Sequence, residues 1–399
     1  MSIRLAKRVG RINPSVTLEL TAKVRAMQAA GQDVIGFGAG EPDFDTPEPI
    51  KEAAVRALAD GFTKYTPVGG TPELKAAIVE KFARENGLSY TPEEILVSCG
   101  SKHCLYNLFQ ACLEAGDEVL ILAPYWVSYP EMVALADATP VFVPPANDGS
   151  FKVRPETLRA HLTARSRAVI INSPCNPTGA AYTEEEFQAL AAVAEEADLI
   201  IVSDEIYEHI VYDGFKPVSI AAISEEIKAR TMVANGFSKS FSMTGWRLGY
   251  IAGDKDVIAA MTTIQSQSTS NPTSFAQWGA VEALRAPLKE VDAMLSEFTR
   301  RRAVIVKGLN SIDGITCSTP QGAFYTFPDV SDLFGRRFKD TELQGSLDVS
   351  AFLLEEANVA VVPGIAFGDD RCLRLSFALS LEEIEEGLAR IGKAVSNLS

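Results

Sequence analysis

Short apolar runs alternate with longer amphipathic stretches through the middle of the chain. The apolar runs predict strands at residues 95–98, 118–122, 168–172, 199–203, 231–234 and 248–252. Most of these runs are apolar on both faces, which is typical of a parallel sheet covered by helices. Amphipathic stretches such as residues 183–197, which open with a capping box between Thr183 and Glu186, predict the helices. The alternation indicates an α/β fold, in which ligands bind at the carboxyl ends of the strands.

The C-terminal part of the chain has a different pattern. Long helical stretches, from Leu288 to Leu309 and over residues 381–395, surround short strand patterns at residues 322–327, 359–362 and 372–377. This predicts a smaller α+β domain, which the N-terminal residues join after a glycine-rich turn. We therefore expect a large cofactor-binding domain over residues 46–290 and a small domain formed by residues 1–45 and 291–399. A broad interface between them is expected to hold the site.

Composition narrows the classes of function. The chain has 399 residues, of which 47% are hydrophobic, and its 37 basic and 52 acidic side chains give a net charge of −15. An acidic chain without a basic cluster argues against nucleic-acid binding, and no segment has the length of a membrane span. The six cysteines form no CxxC pair and no signal-peptide core follows the basic N-terminus, so we expect free thiols in the cytoplasm. The three histidines lie far apart in sequence, and we expect no metal site.

Residues 238–247 (SKSFSMTGWR) connect two of the predicted strands. Lys239 lies just past the first strand, next to Ser238, and Arg247 follows eight positions later. A lysine amine can hold an aldehyde as a Schiff base and an arginine can bind a phosphate beside it, which suggests pyridoxal phosphate (PLP). Taken alone, the same residues are equally compatible with a surface lysine on a turn and an arginine in a salt bridge.

Distinctive polar or aromatic residues follow five of the predicted strands. They lie in segments 98–102, 124–126, 172–179, 204–207 and 238–239. Because ligands of open α/β sheets bind at the carboxyl ends of the strands, we expect these segments to converge. Turn chemistry explains one or two such segments, but not the whole set.

Asp204 ends an apolar strand, where an unpaired carboxylate is costly. A protonated pyridine nitrogen is a suitable partner for it. Alternatively, Asp204 caps a helix that begins at Glu205. If this segment turns helically, Tyr207 shares a face with Asp204, and its hydroxyl can donate to a phenolic oxygen of the cofactor, as can Asn176.

The segments after two other strands suggest phosphate binding and a fixed orientation. Ser101 and Lys102 open a helix, where backbone amides bind phosphate, although this signal is weak alone. Asn176 lies in the loop 172–179, whose two prolines restrict the backbone. Asn-Pro is also ordinary turn chemistry.

Trp126 and Arg374 complete the candidates. Trp126 either stacks on a cofactor ring or packs in the core. Arg374 is flanked by apolar residues in a strand pattern, so it needs an anion. A bidentate clamp on a substrate carboxylate and a structural salt bridge are both open.

Together these motifs resemble the class I aminotransferases of PLP fold type I, over essentially the whole chain. The resemblance rests on segments 39–47 (AGEPDFDTP), 64–67 (KYTP), 124–126 (PYW), 172–179 (NSPCNPTG), 203–207 (SDEIY), 238–239 (SK) and 243–247 (MTGWR), and on Arg374. The chain is most similar to the bacterial aspartate aminotransferase subgroup that includes aspartate/prephenate aminotransferases. The resemblance implies a mostly parallel seven-stranded sheet between helices, with a smaller α+β domain.

The resemblance also implies a role for each site residue. Lys239 is the catalytic residue, which carries the cofactor and shuttles a proton, and Asp204 pairs with the ring nitrogen. The other implied cofactor contacts are Ser101, Lys102, Trp126, Asn176, Tyr207, Ser238, Arg247 and Tyr65. Tyr65 reaches the phosphate of the partner subunit, which implies a homodimer with shared sites. The implied substrate contacts are Ser15, Thr17, Gly40, Lys102, Trp126, Asn176 and Arg374.

One departure from the family bears on substrate choice. Some dicarboxylate aminotransferases read the distal carboxylate with an arginine of the other subunit, expected after Gly253, but this chain has no arginine at residues 254–284. The resemblance implies that Lys102, Ser15 and Thr17 read it instead. The implied activity is amino transfer between L-aspartate or L-glutamate and 2-oxoglutarate or oxaloacetate, by a ping-pong aldimine mechanism, with prephenate as a further candidate acceptor.

Two other kinds of function remain open at this point. A PLP enzyme of the same fold can have another specificity, as in an aromatic or alanine aminotransferase or a C–S β-lyase. A non-catalytic α/β protein can bind an anion at a helix N-terminus. The second alternative leaves Lys239, Asp204 and Tyr207 without a common purpose.

Overall fold

The computed structural model describes residues 3–287, 289–339 and 341–399. Their α-helices are Val16–Ala29 (α1), Glu48–Ala59 (α2), Pro72–Lys81 (α3), Ser101–Cys112 (α4), Ser128–Leu135 (α5), Pro155–Ala160 (α6), Glu184–Glu196 (α7), Glu225–Ala229 (α8), Lys255–Ser268 (α9), Ser274–Arg285 (α10), Lys289–Leu309 (α11), Ser346–Ala357 (α12) and Leu381–Val395 (α13). Their strands are Ile35–Gly36 (β1), Ile95–Ser98 (β2), Glu118–Leu122 (β3), Thr139–Val143 (β4), Ser166–Asn172 (β5), Ile200–Asp204 (β6), Thr231–Gly236 (β7), Gly249–Ala252 (β8), Tyr325–Thr326 (β9), Arg337–Phe338 (β10), Thr341–Glu342 (β11), Val359–Ala360 (β12), Val362–Pro363 (β13) and Leu373–Ser376 (β14). Within these residues, no helix combines the length and the apolar character that crossing a bilayer requires.

Seven strands form one sheet in the order β2-β8-β7-β6-β5-β3-β4. Neighbouring strands from β7 to β4 run parallel, whereas β8 is antiparallel to both β7 and β2. Every residue of β2, β3, β7 and β8 is buried, because helices cover both faces of the sheet. The α/β prediction and the mostly parallel sheet are therefore confirmed.

The sequence pattern predicts six of the seven strands, with ends that differ by no more than two residues. The strand it missed, β4, lies at the edge of the sheet and pairs only with β3. It contains Pro140 and is partly exposed, so it lacks a continuous apolar run. Proline is tolerated there because an edge strand does not pair on its outer side.

The starts of two predicted helices can be compared with the structure. The capping box is present at α7: Glu186 N donates to Thr183 Oγ1 at 3.3 Å, and Thr183 N donates to Glu186 Oε2 at 2.7 Å. The long helix predicted from Leu288 begins in the structure at Lys289, and Leu288 lies outside the described residues.

Short strands from both ends of the chain form a second β region. β9, β14 and β13 make an antiparallel sheet, and β1 runs parallel to β12, with Ile35 opposite Val359. The strands predicted at residues 322–327 and 359–362 are shorter in the structure. Val361 separates β12 from β13, and the first pattern forms the two-residue strand β9 and an isolated bridge from Gly322 to Val211. Ile35 packs in the same hydrophobic core as side chains of α11, α12 and α13.

Candidate active site

A cavity of about 540 Å³ opens beside the carboxyl ends of β5 and β6. Of the fourteen residues that the sequence singled out, thirteen line it: Ser15, Thr17, Gly40, Ser101, Lys102, Trp126, Asn176, Asp204, Tyr207, Ser238, Lys239, Arg247 and Arg374. Tyr65 is not among the lining residues, and it is 91% exposed on the loop between α2 and α3. Segments that are distant in sequence therefore converge on one cavity.

Lys239 follows β7 by three residues, and its amine reaches the other side of the cavity. Its Nζ donates a hydrogen bond to the carbonyl oxygen of Gly40. Burial lowers the pKa of Lys239 to about 8; Arg374 and Arg247 act in the same direction, and Glu41 opposes them. A larger fraction of the amine is therefore neutral near pH 7 than in an exposed lysine, which favours nucleophilic attack on an aldehyde.

Asp204 is the last residue of β6, and it is 4% exposed. Its carboxylate accepts a hydrogen bond from Tyr129 Oη at 2.7 Å and one from Ile206 N at 3.3 Å. Burial raises the pKa of Asp204 to about 6, although both bonds oppose the rise. The carboxylate is thus held by neutral donors and favours a cationic partner. Residues 206–209 form a turn, so the alternative that Asp204 caps a helix is wrong.

Two buried tyrosines that the sequence analysis missed also line the cavity. Tyr129, on α5, donates to Asp204 and packs edge-to-face on Trp126 at 5.3 Å between ring centroids. Tyr325, on β9, shares a hydrogen bond of 3.0 Å with Tyr207. The signal for Tyr129 was its position three residues after Trp126, at the start of a helix. Tyr325 lies in an apolar run, which carries no such signal.

The start of α4 forms a compact cradle with Arg247. The guanidinium of Arg247 donates to Thr244 O at 2.9 Å and to Cys99 O at 3.2 Å. Gly100 has a φ of +95°, which L side chains rarely adopt, and a Cβ there would lie 2.5 Å from Arg247 Nη2, so a substitution would be strained and would displace the guanidinium. Ser101 Oγ is buried and has no hydrogen-bond partner within the described residues. A cation, a free hydroxyl and a helix N-terminus together suit a phosphate group.

Arg374 lies on β14 and is 2% exposed. It donates to Asn176 Oδ1 at 3.0 Å and to Gly38 O at 2.8 Å, and its Nε is buried without a partner in the part of the chain described. Both acceptors are neutral, so these bonds do not provide a structural salt bridge. A buried guanidinium with a free donor favours a carboxylate ligand.

Lys102 and two hydroxyl residues occupy another part of the cavity wall. Lys102 Nζ lies 4.7 Å from the ring centroid of Trp126, and burial, with Arg247 nearby, lowers its pKa. Ser15 Oγ and Thr17 Oγ1 lie 3.0 Å apart at the start of α1. These groups offer a point charge and hydroxyl donors that can bind a second anionic group. They constrain the geometry of that anion less than an arginine does.

The residues present fit PLP. The Ser101 hydroxyl has no partner within the described chain, Asp204 is a buried carboxylate with neutral donors, and Lys239 has a lowered pKa. These three groups match the phosphate, the ring nitrogen and the aldehyde of one molecule.

Comparison with known proteins agrees with a PLP-binding site. The model of the family "Aminotransferase class I and II" matches residues 32–391. An aspartate aminotransferase of Geobacillus stearothermophilus is 52% identical over 392 residues, which cover 98% of each chain. A probable aspartate/prephenate aminotransferase of Aquifex aeolicus is 49% identical over 396 residues, 99% of each chain. The solved structure of the Thermus thermophilus aspartate aminotransferase with maleate is 44% identical with a TM-score of 0.93, over 98% of this chain and all of that one. The chain belongs to the class I and II aminotransferases, and its cofactor is pyridoxal phosphate.

Proposed function

We propose that this enzyme transfers the amino group between L-aspartate or L-glutamate and a 2-oxo acid. The observation that carries the proposal is the convergence of Lys239, Asp204 and Arg374 on one cavity. The names of the relatives, aspartate aminotransferase and aspartate/prephenate aminotransferase, support the acidic substrate. In the direction from aspartate to 2-oxoglutarate, the products are oxaloacetate and L-glutamate.

Bound PLP supplies an aldehyde that takes up the amino group and a protonated ring that withdraws electrons from the substrate. Asp204 keeps the ring nitrogen protonated. Lys239 Nζ removes the proton from the substrate's Cα, for which its lowered pKa is suited. Tyr207 and Asn176 would hold the phenolic oxygen of the ring, and Trp126 would stack on the ring. The phosphate would be held by Arg247, Ser238 and the backbone of Ser101 and Lys102.

The substrate is bound through its two ends. Arg374, with the backbone of Gly40, holds the α-carboxylate. Lys102, with Ser15 and Thr17, reads the distal carboxylate. A lysine sets a charge without the fixed fork geometry of arginine, so a larger dicarboxylate such as prephenate is a further acceptor to test.

The enzyme acts as a homodimer in the cytoplasm, with each site completed by Tyr65 of the other copy. The high exposure of Tyr65 and its position outside its own cavity support this arrangement. All six cysteines are free thiols, in line with a reducing compartment. The proposed domains are residues 46–290 and residues 1–45 with 291–399, and the parallel pairing of β1 with β12 supports grouping the N-terminal residues with the C-terminal part.

A visible-absorption titration tests this function. The PLP-loaded protein is mixed first with aspartate and then with 2-oxoglutarate or prephenate. We expect aspartate to remove the band of the Lys239-bound cofactor and an oxo acid to restore it, and the effective oxo acid identifies the acceptor. A band that ignores aspartate would overturn the acidic specificity. Pyruvate release from a cysteine conjugate without any acceptor would instead indicate a lyase.

A further inference from the structure

The loop of residues 62–71, which we call the Tyr65 loop, is hydrogen-bonded to a buried glutamine of α10. Gln277 is 0% exposed. Its Oε1 accepts a hydrogen bond from Thr71 N at 2.8 Å, and its Nε2 donates to Thr66 Oγ1 at 3.1 Å and to Pro272 O at 3.1 Å. One amide therefore fixes the loop on both sides of the bend that follows Tyr65.

A second buried glutamine, Gln265 of α9, holds the middle of the loop. Its Nε2 donates to Val68 O at 2.7 Å and to Val97 O at 2.9 Å. Its Oε1 accepts from Asn107 Nδ2 at 3.1 Å and from Ser98 Oγ. Ser98 ends β2, three residues before Ser101 of the phosphate cradle, and Asn107 lies on α4, the helix that begins at the cradle. Gln265 therefore connects the Tyr65 loop with β2 and α4, whereas the bonds of Gln277 reach only the Tyr65 loop and the start of its own helix.

These hydrogen bonds are suited to fixing the orientation of the Tyr65 loop rather than to stabilising a hydrophobic core. Burying two amides has a desolvation cost that apolar side chains would avoid, and each bond described fixes a particular backbone, hydroxyl or side-chain amide group. The residue at the tip, Tyr65, is 91% exposed and gains nothing for its own packing. A rigidly held loop that presents an exposed aromatic hydroxyl is suited to contact a group outside its own chain.

We propose that Gln277 is a positioning residue that acts in trans: by fixing Thr66 and Thr71 it aims Tyr65 at the cofactor phosphate of the other copy in the dimer. The proposal rests on the proposed function, because it requires shared sites. Gln265 differs, since it also reaches the phosphate cradle of its own chain through Ser98. A defect at Gln265 is therefore expected in both sites, and a defect at Gln277 only in the partner's site.

Mixed dimers separate these roles. One chain carries Gln277→Leu, and the other carries Lys239→Ala with an unchanged Tyr65 loop. The one site that retains Lys239 therefore belongs to the Gln277→Leu chain, and it receives Tyr65 from the unchanged loop of the other chain. The dissociation constant of PLP at that site is read from the visible band of the lysine-bound cofactor. We expect Gln277→Leu homodimers to bind PLP about tenfold more weakly. The mixed dimer should regain the wild-type constant.

Three further variants make the result unambiguous. Tyr65→Phe is expected to behave as Gln277→Leu does, and Asn310→Leu, which removes an amide that holds a turn elsewhere, should leave the constant unchanged. If Gln277→Leu fails to fold, Gln277→Glu keeps the acceptor for Thr71 and loses the donor. The proposal is overturned if PLP binding stays weak in the mixed dimer with Gln277→Leu but recovers in the corresponding mixed dimer with Tyr65→Phe. That result would still support the shared site. If neither recovers, the shared site itself is wrong.

Discussion

Tyr129 donates a hydrogen bond to the buried carboxylate of Asp204, with 2.7 Å between Tyr129 Oη and Asp204 Oδ2. Burial raises the pKa of Tyr129 well above its ordinary range, and the carboxylate adds to the rise, so the hydroxyl keeps its proton and remains a donor. The same bond lowers the pKa of Asp204 against the effect of burial. Tyr129 therefore helps to keep Asp204 ionised where the ring nitrogen of the cofactor needs an anion.

Replacing Tyr129 by phenylalanine removes one of the two donors to Asp204. We expect the pKa of Asp204 to rise further and PLP to bind about tenfold more weakly, as is typical when a charged group loses a hydrogen bond. An analogue with carbon in place of the ring nitrogen should bind both proteins nearly alike. Tyr212→Phe is the matched control, because Tyr212 is buried and its hydroxyl donates to a carbonyl at 2.6 Å. Equal weakening for both ligands would contradict a role through Asp204.

Asp204→Asn is expected to stabilise the cofactor-free protein while it disables the enzyme. The folded-state pKa of Asp204, about 6, lies above the ordinary 3.8, so the folded protein binds this proton more tightly than the unfolded chain. Stability is therefore lost as the pH rises from about 4 to 6, by up to about 3 kcal/mol. At pH 7 the variant should unfold at a higher temperature, and below pH 4 the difference should vanish. Turnover should fall by about 10²-fold or more.

The strands and the site segments could be predicted because local patterns encode them. Apolar runs identified the central strands, and the polar or aromatic residues after five of them identified walls of the cavity. The edge strand β4 was missed since its outer side is partly exposed, which interrupts the apolar run. Tyr129 and Tyr325 were missed because their importance lies in which side chain they meet. Such pairings depend on tertiary geometry, and a single sequence does not record them.

Arg374→Lys tests the carboxylate clamp. Lysine cannot reproduce the planar fork that donates to Asn176 and Gly38 while leaving Nε free. We expect the KM for aspartate and the inhibition constant for maleate to rise by about 100-fold, because a buried charged pair loses its geometry. The visible band of the bound cofactor should be unchanged. Arg371→Lys, which alters an exposed arginine paired with Asp369, is the control. A normal KM in Arg374→Lys would remove Arg374 from substrate binding.

Lys102→Met should reduce discrimination between acidic and neutral amino acids. The Lys102 ammonium lies over Trp126 at the cavity wall, and methionine keeps much of its length without the charge. We expect the ratio of kcat/KM for aspartate to that for alanine to fall by about tenfold. Lys228→Met is a suitable control, since Lys228 also lies over an aromatic ring, at 5.0 Å from Tyr90, but does not line the cavity. An unchanged ratio would show that Lys102 does not read the distal carboxylate.

A buried ion pair lies directly behind the turn that carries Tyr207. Lys81 is 0% exposed and hydrogen-bonds to Glu208, whose carboxylate also accepts from Asn86 Nδ2 at 2.8 Å and from Asn235 Nδ2 at 2.6 Å. Burial acts to raise the pKa of Glu208, but Lys81 and His209 outweigh it, and the net pKa is lowered. The carboxylate is therefore ionised at neutral pH and balances the ammonium.

Glu208→Gln is expected to be destabilising, because it removes the nearer of two carboxylates paired with the buried Lys81 ammonium and leaves Glu85, at 3.8 Å from Lys81 Nζ, as its counter-charge. Breaking a buried pair costs about 3–5 kcal/mol when no other counter-charge remains, so with Glu85 in place we expect a loss near the lower end of this range. Denaturant unfolding of the cofactor-free protein measures it. The double variant Lys81→Met/Glu208→Leu removes both charges and should recover most of that loss, since apolar side chains of similar volume replace buried ion pairs well. If the double variant is as unstable as Glu208→Gln, the loss comes from packing or from the unpaired asparagines rather than from the weaker pairing of Lys81.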